Sequence, residues 1–215
     1  MTMTWWKQKE RLFPDEEHKH KVLIVTYKDR IRAPMLRELI IAKMSDKLKE
    51  VAAFRSAGIY ADNGEPVAGE ALKALCYFGI PVQPYEHETN CATLTLIDEA
   101  DCLMTVDNYG YDTLLREIGK PEKLLRITDF SSDPELKESK EIEEPRFKPH
   151  EDLMKLMDIF DDCTEHYLKY LGEKLGCPEP EEKEPEHWWE KTPSTKRKFK
   201  KPEHWWEVPN WARAI

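Results

Sequence analysis

Thr26-Tyr-Lys-Asp-Arg-Ile-Arg-Ala-Pro34 follows an apolar run and leads into an amphipathic stretch. A strand that turns through a short loop into a helix N-terminus aims backbone N–H groups and the positive end of the helix dipole at one point. That is the chemistry of an anion cradle. Lys28, Arg30 and Arg32 suit such a cradle, but Asp29 opposes it, and the loop contains neither glycine nor cysteine. Thr26 offers a hydroxyl, which is protonated at neutral pH and needs a neighbouring base to become a useful nucleophile. No histidine lies in or beside the loop.

Elsewhere the reactive residue types form no recognisable constellation. The five cysteines, Cys76, Cys91, Cys102, Cys163 and Cys177, show no C-x-x-C spacing. They read as small buried hydrophobes or inert thiols rather than a disulfide framework. His18 and His20 alternate within a charged run, and no cysteine or carboxylate cluster completes a metal site around them. No metal and no cofactor is expected.

The elements that must position the loop are legible from periodicity. Residues 21–25 form a short β-rich run, and Pro34 suits a first helical turn. Met35, Leu36, Leu39, Ile40 and Met44 recur at helical spacing, predicting one helix to about Lys49. Residues 51–57 predict a second strand closed by Gly58, and residues 65–78 a second helix stopped by Gly79. A third strand is expected over 101–105, a third helix over 109–118, a fourth strand over 123–127 and a last long helix over 149–171. Strands alternating with helices predict an α/β domain with a four-stranded parallel sheet in three layers. In such sheets the ligand site lies beyond the carboxyl ends of the strands, where residues 26–33 fall.

The order of these elements and their local motifs resembles the low-molecular-weight protein tyrosine phosphatases, whose flavodoxin-like fold the arsenate reductases share. The resemblance covers residues 21 to 171. "KVLIVTYKDRIRAPM" resembles the family's strand and phosphate loop, Val-Cys, five residues, then Arg-Ser-Pro-Met. "FRSAGIYADNGEP" resembles its second strand and turn, "ALCYFGI" followed by His87 its next helix and return, and "EADCLMTVDNY" the strand Ala-Asp-x-Ile-x-x-Met-Asp.

Set against that family, the chemistry departs at the loop. The resemblance puts Thr26 at the nucleophilic cysteine, Ala33 at the serine that supports the thiolate, Lys28 at a loop glycine and Asp29 at the following asparagine. Only Arg32 stays in register. Its guanidinium has the fork geometry to grip a phosphate, and Asp29, three residues away, is the expected competitor that neutralises it. The family's general acid is an Asp-Pro before the final helix. Asp133-Pro134 has the right letters, whereas Glu144-Pro145 fits the distance to that helix better. Arsenate reduction is not expected, because the loop cysteine and a relaying cysteine pair are missing.

Composition marks off the rest of the chain. The seven tryptophans are Trp5, Trp6, Trp188, Trp189, Trp205, Trp206 and Trp211, so none falls between residues 7 and 187. Three parts follow: an N-terminal extension over 1–20, a phosphatase-like domain over 21–176, and a tryptophan-rich tail over 177–215. The tail runs from an acidic segment, 179–190, through a basic one, 191–202, and holds Pro-Glu-His-Trp-Trp-Glu twice, at 185–190 and 202–207. Prolines and charge blocks prevent it from building a core of its own. Paired tryptophans are nevertheless costly to leave in water and are enriched at binding hot spots. Trp188, Trp189, Trp205, Trp206 and Trp211 are therefore expected to pack on their own domain or on a partner protein.

A net charge of −9 argues against general nucleic-acid affinity of the whole surface, and no apolar run is long enough for a bilayer. A polar N-terminus with no signal-peptide pattern makes the cytoplasm the expected location. The combined expectation is a catalytically inactive, phosphatase-like domain acting as a scaffold, accessory or regulatory subunit that docks through its tryptophans. A second reading is a phospho-ligand or anion-binding module using Lys28, Asp29, Arg30 and Arg32. A third is residual phosphatase activity through Thr26.

Overall fold

The computed structural model describes residues 19–80, 82, 88–145 and 150–178. The terminal extensions with all seven tryptophans, His18, His87 and residues 146–149 lie outside the described residues. Four parallel strands, β1 (His20–Thr26), β2 (Ala52–Gly58), β3 (Cys102–Thr105) and β4 (Leu124–Arg126), form one sheet in the order β2-β1-β3-β4. The register aligns Thr26 with Gly58, Val25 with Thr105, and Thr105 with Arg126, so the carboxyl ends of the strands share one edge. This is the expected three-layer α/β architecture.

β1 is apolar on both faces because both are covered. Val22 and Ile24 face a core built with α1 (Arg32–Lys43), α3 (Gly69–Tyr77) and α7 (His150–Lys174). Leu23 and Val25 face a second core with α4 (Leu94–Glu99) and α5 (Asn108–Ile118). The long α7 carries the largest share of the first core, with Leu153, Leu156, Met157, Phe160, Tyr167 and Leu168 all buried.

Several boundaries differ from the periodicity, each for a local reason. The helix expected to run unbroken to Lys49 is two: α1 ends at Lys43 and α2 (Asp46–Val51) starts afresh, with the Ser45 hydroxyl accepting from Leu48 N–H at 3.4 Å. Val51 closes α2 rather than opening β2. The helix expected from Glu65 begins at Gly69, because the preceding backbone is bonded elsewhere. Glu65 N–H donates to Thr89 Oγ1 at 3.1 Å, and Ala68 N–H donates to the carbonyl of Arg30 at 2.9 Å. Two short helices, α4 and α6 (Pro134–Ser139), carry too few turns to leave a periodic signal; side-chain caps from Thr93 and Asp133 define them.

Cys76, Cys102 and Cys163 are buried as expected, whereas Cys91 and Cys177 are only half-buried. Burial pushes the Cys102 thiol up to about 11 and that of Cys163 to about 12, and it raises Cys76 as well. None of these three is a poised thiolate. No helix among the described residues is long and apolar enough to cross a membrane.

Candidate functional site

Residues 27–31 connect β1 to α1 at the carboxyl edge of the sheet. Two backbone bonds moor this loop to the turn after β2: Ile59 N–H donates to the carbonyl of Thr26, and Tyr60 N–H to that of Tyr27, each at 2.9 Å. Gly58 makes the close approach possible. A Cβ there would stand 2.7 Å from the Lys28 carbonyl carbon and 2.8 Å from the Asp29 nitrogen, both backbone atoms that cannot rotate away. Gly58→Ala is accordingly expected to cost about 1–3 kcal/mol in urea unfolding and to displace the loop. A cost below about 0.5 kcal/mol would show that the loop is not wedged against β2.

Thr26 is almost fully buried at the strand end, and its hydroxyl accepts from Asp29 N–H at 3.3 Å. Among the described residues no carboxylate or imidazole is bonded to it. Ala33, beneath the loop, has no exposure and no hydroxyl to lend. Asp29 adopts the left-handed conformation, φ 54°, which an aspartate tolerates better than most residues. That geometry turns its carboxylate inward, where it accepts from Asn90 N–H at 2.9 Å and from the Ser56 side chain. Burial pushes its carboxyl up to about 7, against the lowering effect of those bonds and of Arg37.

The expected pairing of Asp29 with Arg32 is therefore not the one observed. Facing Ser56 and Asn90, Asp29 leaves Arg32 to other partners. The guanidinium is 5% exposed and is engaged at all three of its nitrogens. Nε donates to Glu144 Oε2 at 2.9 Å, Nη1 to the carbonyl of Ile142 at 2.6 Å, and Nη2 to both Asp107 Oδ2 and Glu144 Oε2 at 2.8 Å. Asp107 is itself the N-cap of α5, accepting from Gly110 N–H at 2.6 Å. The segment carrying Glu144 is stitched to the same place: Ile142 N–H donates to the carbonyl of Val106 at 3.3 Å, and Asn108 N–H to Glu141 Oε2 at 2.9 Å.

Of the two general-acid candidates, Glu144 lies at this site and Asp133 does not. Asp133 caps α6 by accepting from Glu135 N–H at 2.9 Å, and its own N–H donates to Ser131 Oγ at 3.0 Å. The cleft above the loop, about 630 Å³, is lined by Thr26, Lys28, Asp29, Arg30, Arg32, Glu70 and Glu144, with Leu153 from α7. Positive and negative side chains balance there. Arg30 is further occupied by Glu65 at 3.5 Å.

Thr26, Lys28, Asp29, Arg30, Arg32 and Glu144 line one cleft, while Asp107, Ser56 and Asn90, which hold Arg32 and Asp29, are not singled out by the sequence. Asp107 had a usable signal, an aspartate just before a helix and after an apolar strand. Ser56 and Asn90 had none, because their contact with Asp29 spans 27 and 61 positions of the chain. Trp188, Trp189, Trp205, Trp206 and Trp211 lie outside the described residues.

The fold recurs among solved phosphatases. The YwlE arginine phosphatase from Geobacillus stearothermophilus superposes with a TM-score of 0.62 at 21% identity, covering 75% of this chain and 99% of that one. The low molecular weight protein tyrosine phosphatase from T. tengcongensis gives 0.61 at 21% identity over 71% of this chain and 99% of its own. The protein tyrosine phosphatase from Entamoeba histolytica gives 0.62 at 18% identity over 74% and 99%. No curated protein matches the chain in sequence. The profile of the low molecular weight phosphotyrosine protein phosphatases does match, over residues 21–176, the same span that carries the loop, the sheet and the Arg32 cluster. The chain belongs to the low molecular weight phosphotyrosine protein phosphatase family.

Proposed function

We propose that this family member has given up phosphoryl chemistry and serves as a scaffold or regulatory subunit, with its tryptophan-rich extensions as docking elements. The observation that carries this reading is the Arg32 cluster. A phosphatase of this fold needs that guanidinium free to grip the transferring phosphoryl group, and here Glu144, Asp107 and the Ile142 carbonyl occupy its donors. Thr26, at the position of the nucleophilic cysteine, adds a second deficit, since among the described residues no carboxylate or imidazole is bonded to its hydroxyl. The anion-module alternative is weakened by the same geometry, because Asp29, Glu70 and Glu144 surround the place where an anion would sit.

Two measurements test the reading. The chain is expected to hydrolyse an aryl phosphate no faster than buffer, and Thr26→Cys alone is expected not to restore turnover, since Arg32 stays occupied. Inorganic phosphate is expected not to raise the unfolding temperature, as a ligand of the native state would. Turnover by the unaltered chain that disappears in Arg32→Ala would sink the proposal. For the extensions, affinity purification of the full chain beside one ending at Gly176 decides: recovery of the same partners by both rules out docking through the tail.

A further inference from the structure

A group of aromatic side chains beside the cleft plays no part in the chemistry above. Tyr27, the first residue after β1, lies between Tyr60, two residues beyond β2, and Tyr109, in the first turn of α5. Its ring centroid is 5.0 Å from that of Tyr60 and 5.8 Å from that of Tyr109, and the side chains of Tyr60 and Tyr109 hydrogen-bond to each other. These rings are 37%, 52% and 49% exposed, so a braced aromatic cluster faces water. Rings held on strand ends by one another offer contact area at little cost in conformational entropy. Two cations lie at this face: the Lys28 ammonium lies 5.9 Å over the Tyr27 ring, and the field of Arg116 reaches Tyr60, with the exposed Asp62 and Asp112 close by in the chain.

We propose that this tyrosine face receives the second Pro-Glu-His-Trp-Trp-Glu copy of the same chain, with Trp205 and Trp206 seated on Tyr27, Tyr60 and Tyr109. The acidic residues flanking the pair suit the face: Glu203 and Glu207 bracket the tryptophans and can meet Lys28 and Arg116, with the basic run 196–201 before them in the linker. By contrast, Trp5 and Trp6 have no acidic residue before them and are followed by Lys7 and Lys9. Reach selects the copy. α7 starts beside the cleft, which Leu153 lines, and ends at the opposite edge, where Lys174 acts on His20 and Cys102 at the starts of β1 and β3. A helix of 25 residues is roughly 37 Å long. The chain leaving Pro178 must return about that distance, which takes roughly 11 extended residues. Trp188, 10 positions beyond Pro178, arrives only at full stretch; Trp205, 27 positions beyond, has slack. Tethering then supplies a high effective concentration without further contacts.

The proposal shares the docking repeats with the function proposed above but not its partner, and its test uses the isolated full-length chain, so the two fail separately. In a chain carrying Trp5→Phe, Trp6→Phe, Trp188→Phe and Trp189→Phe, all indole emission comes from Trp205, Trp206 and Trp211. That emission is expected to lie to the blue of the isolated peptide 198–215 and to resist acrylamide. Adding Tyr27→Ser and Tyr60→Ser is expected to move emission and quenching to those of the peptide. Tyr170→Ser, an exposed tyrosine on α7, is expected to leave them unchanged. Lys28→Glu keeps the rings in place and is expected to give a smaller red shift, which covers the case in which the serine variant fails to fold by circular dichroism. Emission unaffected by both the serine pair and Lys28→Glu overturns the proposal. So does a blue shift that vanishes on dilution, which would assign the face to a second copy of the chain.

Discussion

Asp107→Ala is expected to lower the unfolding free energy by about 3–5 kcal/mol, read from urea or thermal unfolding monitored by circular dichroism. The size follows from where the carboxylate sits. It is 4% exposed, holds Arg32 Nη2 at 2.8 Å and caps α5 through Gly110 N–H. Its removal strands a guanidinium that is itself buried, and an uncompensated buried charge costs far more than the lost pair would suggest. The cap contributes about 1 kcal/mol of the same loss. Asp107→Asn separates the two effects, since an amide oxygen still accepts from Gly110 while the charge is gone. Glu144→Gln is expected to cost less, because Glu144 keeps 30% of its side chain in water. Arg32→Met combined with Asp107→Ala is expected to be milder than Asp107→Ala alone, with a coupling of at least about 1 kcal/mol between them. Additive losses, or a loss under about 1 kcal/mol in Asp107→Ala, would mean that Arg32 finds solvent when its partner leaves.

Asp29→Asn is expected to stabilise the protein by up to about 4 kcal/mol near pH 8, with little effect near pH 4. The cause is a carboxyl pushed by burial from an ordinary value of 3.8 up to about 7. Below pH 3.8 folded and unfolded chains both hold the proton, so burial carries no ionisation penalty. As pH rises from there to about 7 the unfolded chain releases its proton first, binds fewer protons than the folded one, and stability falls. Above about 7 both states are ionised and the full penalty persists. An asparagine carries no such penalty: its carbonyl can accept from Asn90 N–H, its amide can face Ser56, and it tolerates the positive φ. Unfolding curves for both proteins at several pH values provide the check. A difference that does not change with pH would show that Asp29 ionises in the folded state as it does in water.

Both predictions bear on the same loop and on how its charges are arranged. The carboxylate inside the loop, Asp29, carries an ionisation penalty, while those outside it, Asp107 and Glu144, neutralise the arginine. A phosphate-binding loop reserves its arginine and N–H groups for a ligand. Here the arginine cross-links the start of α5 and the segment before α7 to the start of α1, a structural use of the same side chain.

The sequence by itself determined the layer order. Runs such as residues 22–25 are apolar at every position, as a short strand covered on both faces is, and the apolar spacing along residues 153–168 is that of a helix packed on one side. It also determined that the loop lacks a cysteine, a supporting hydroxyl and a glycine, since residue types need no coordinates. What it did not determine was who neutralises Arg32. Proximity in sequence favoured Asp29, but a left-handed residue points its side chain away from the following helix, toward β2 and Asn90. The partners lie 75 and 112 positions along the chain, brought to Arg32 by parallel register and by the return of the segment before α7. Short helices and caps escaped periodicity for the same physical reason: they are defined by single side-chain bonds such as Ser45 to Leu48, and not by a repeating face. Periodic burial is written along the chain, whereas charge pairing and backbone bonding across distant segments exist only once the sheet has closed.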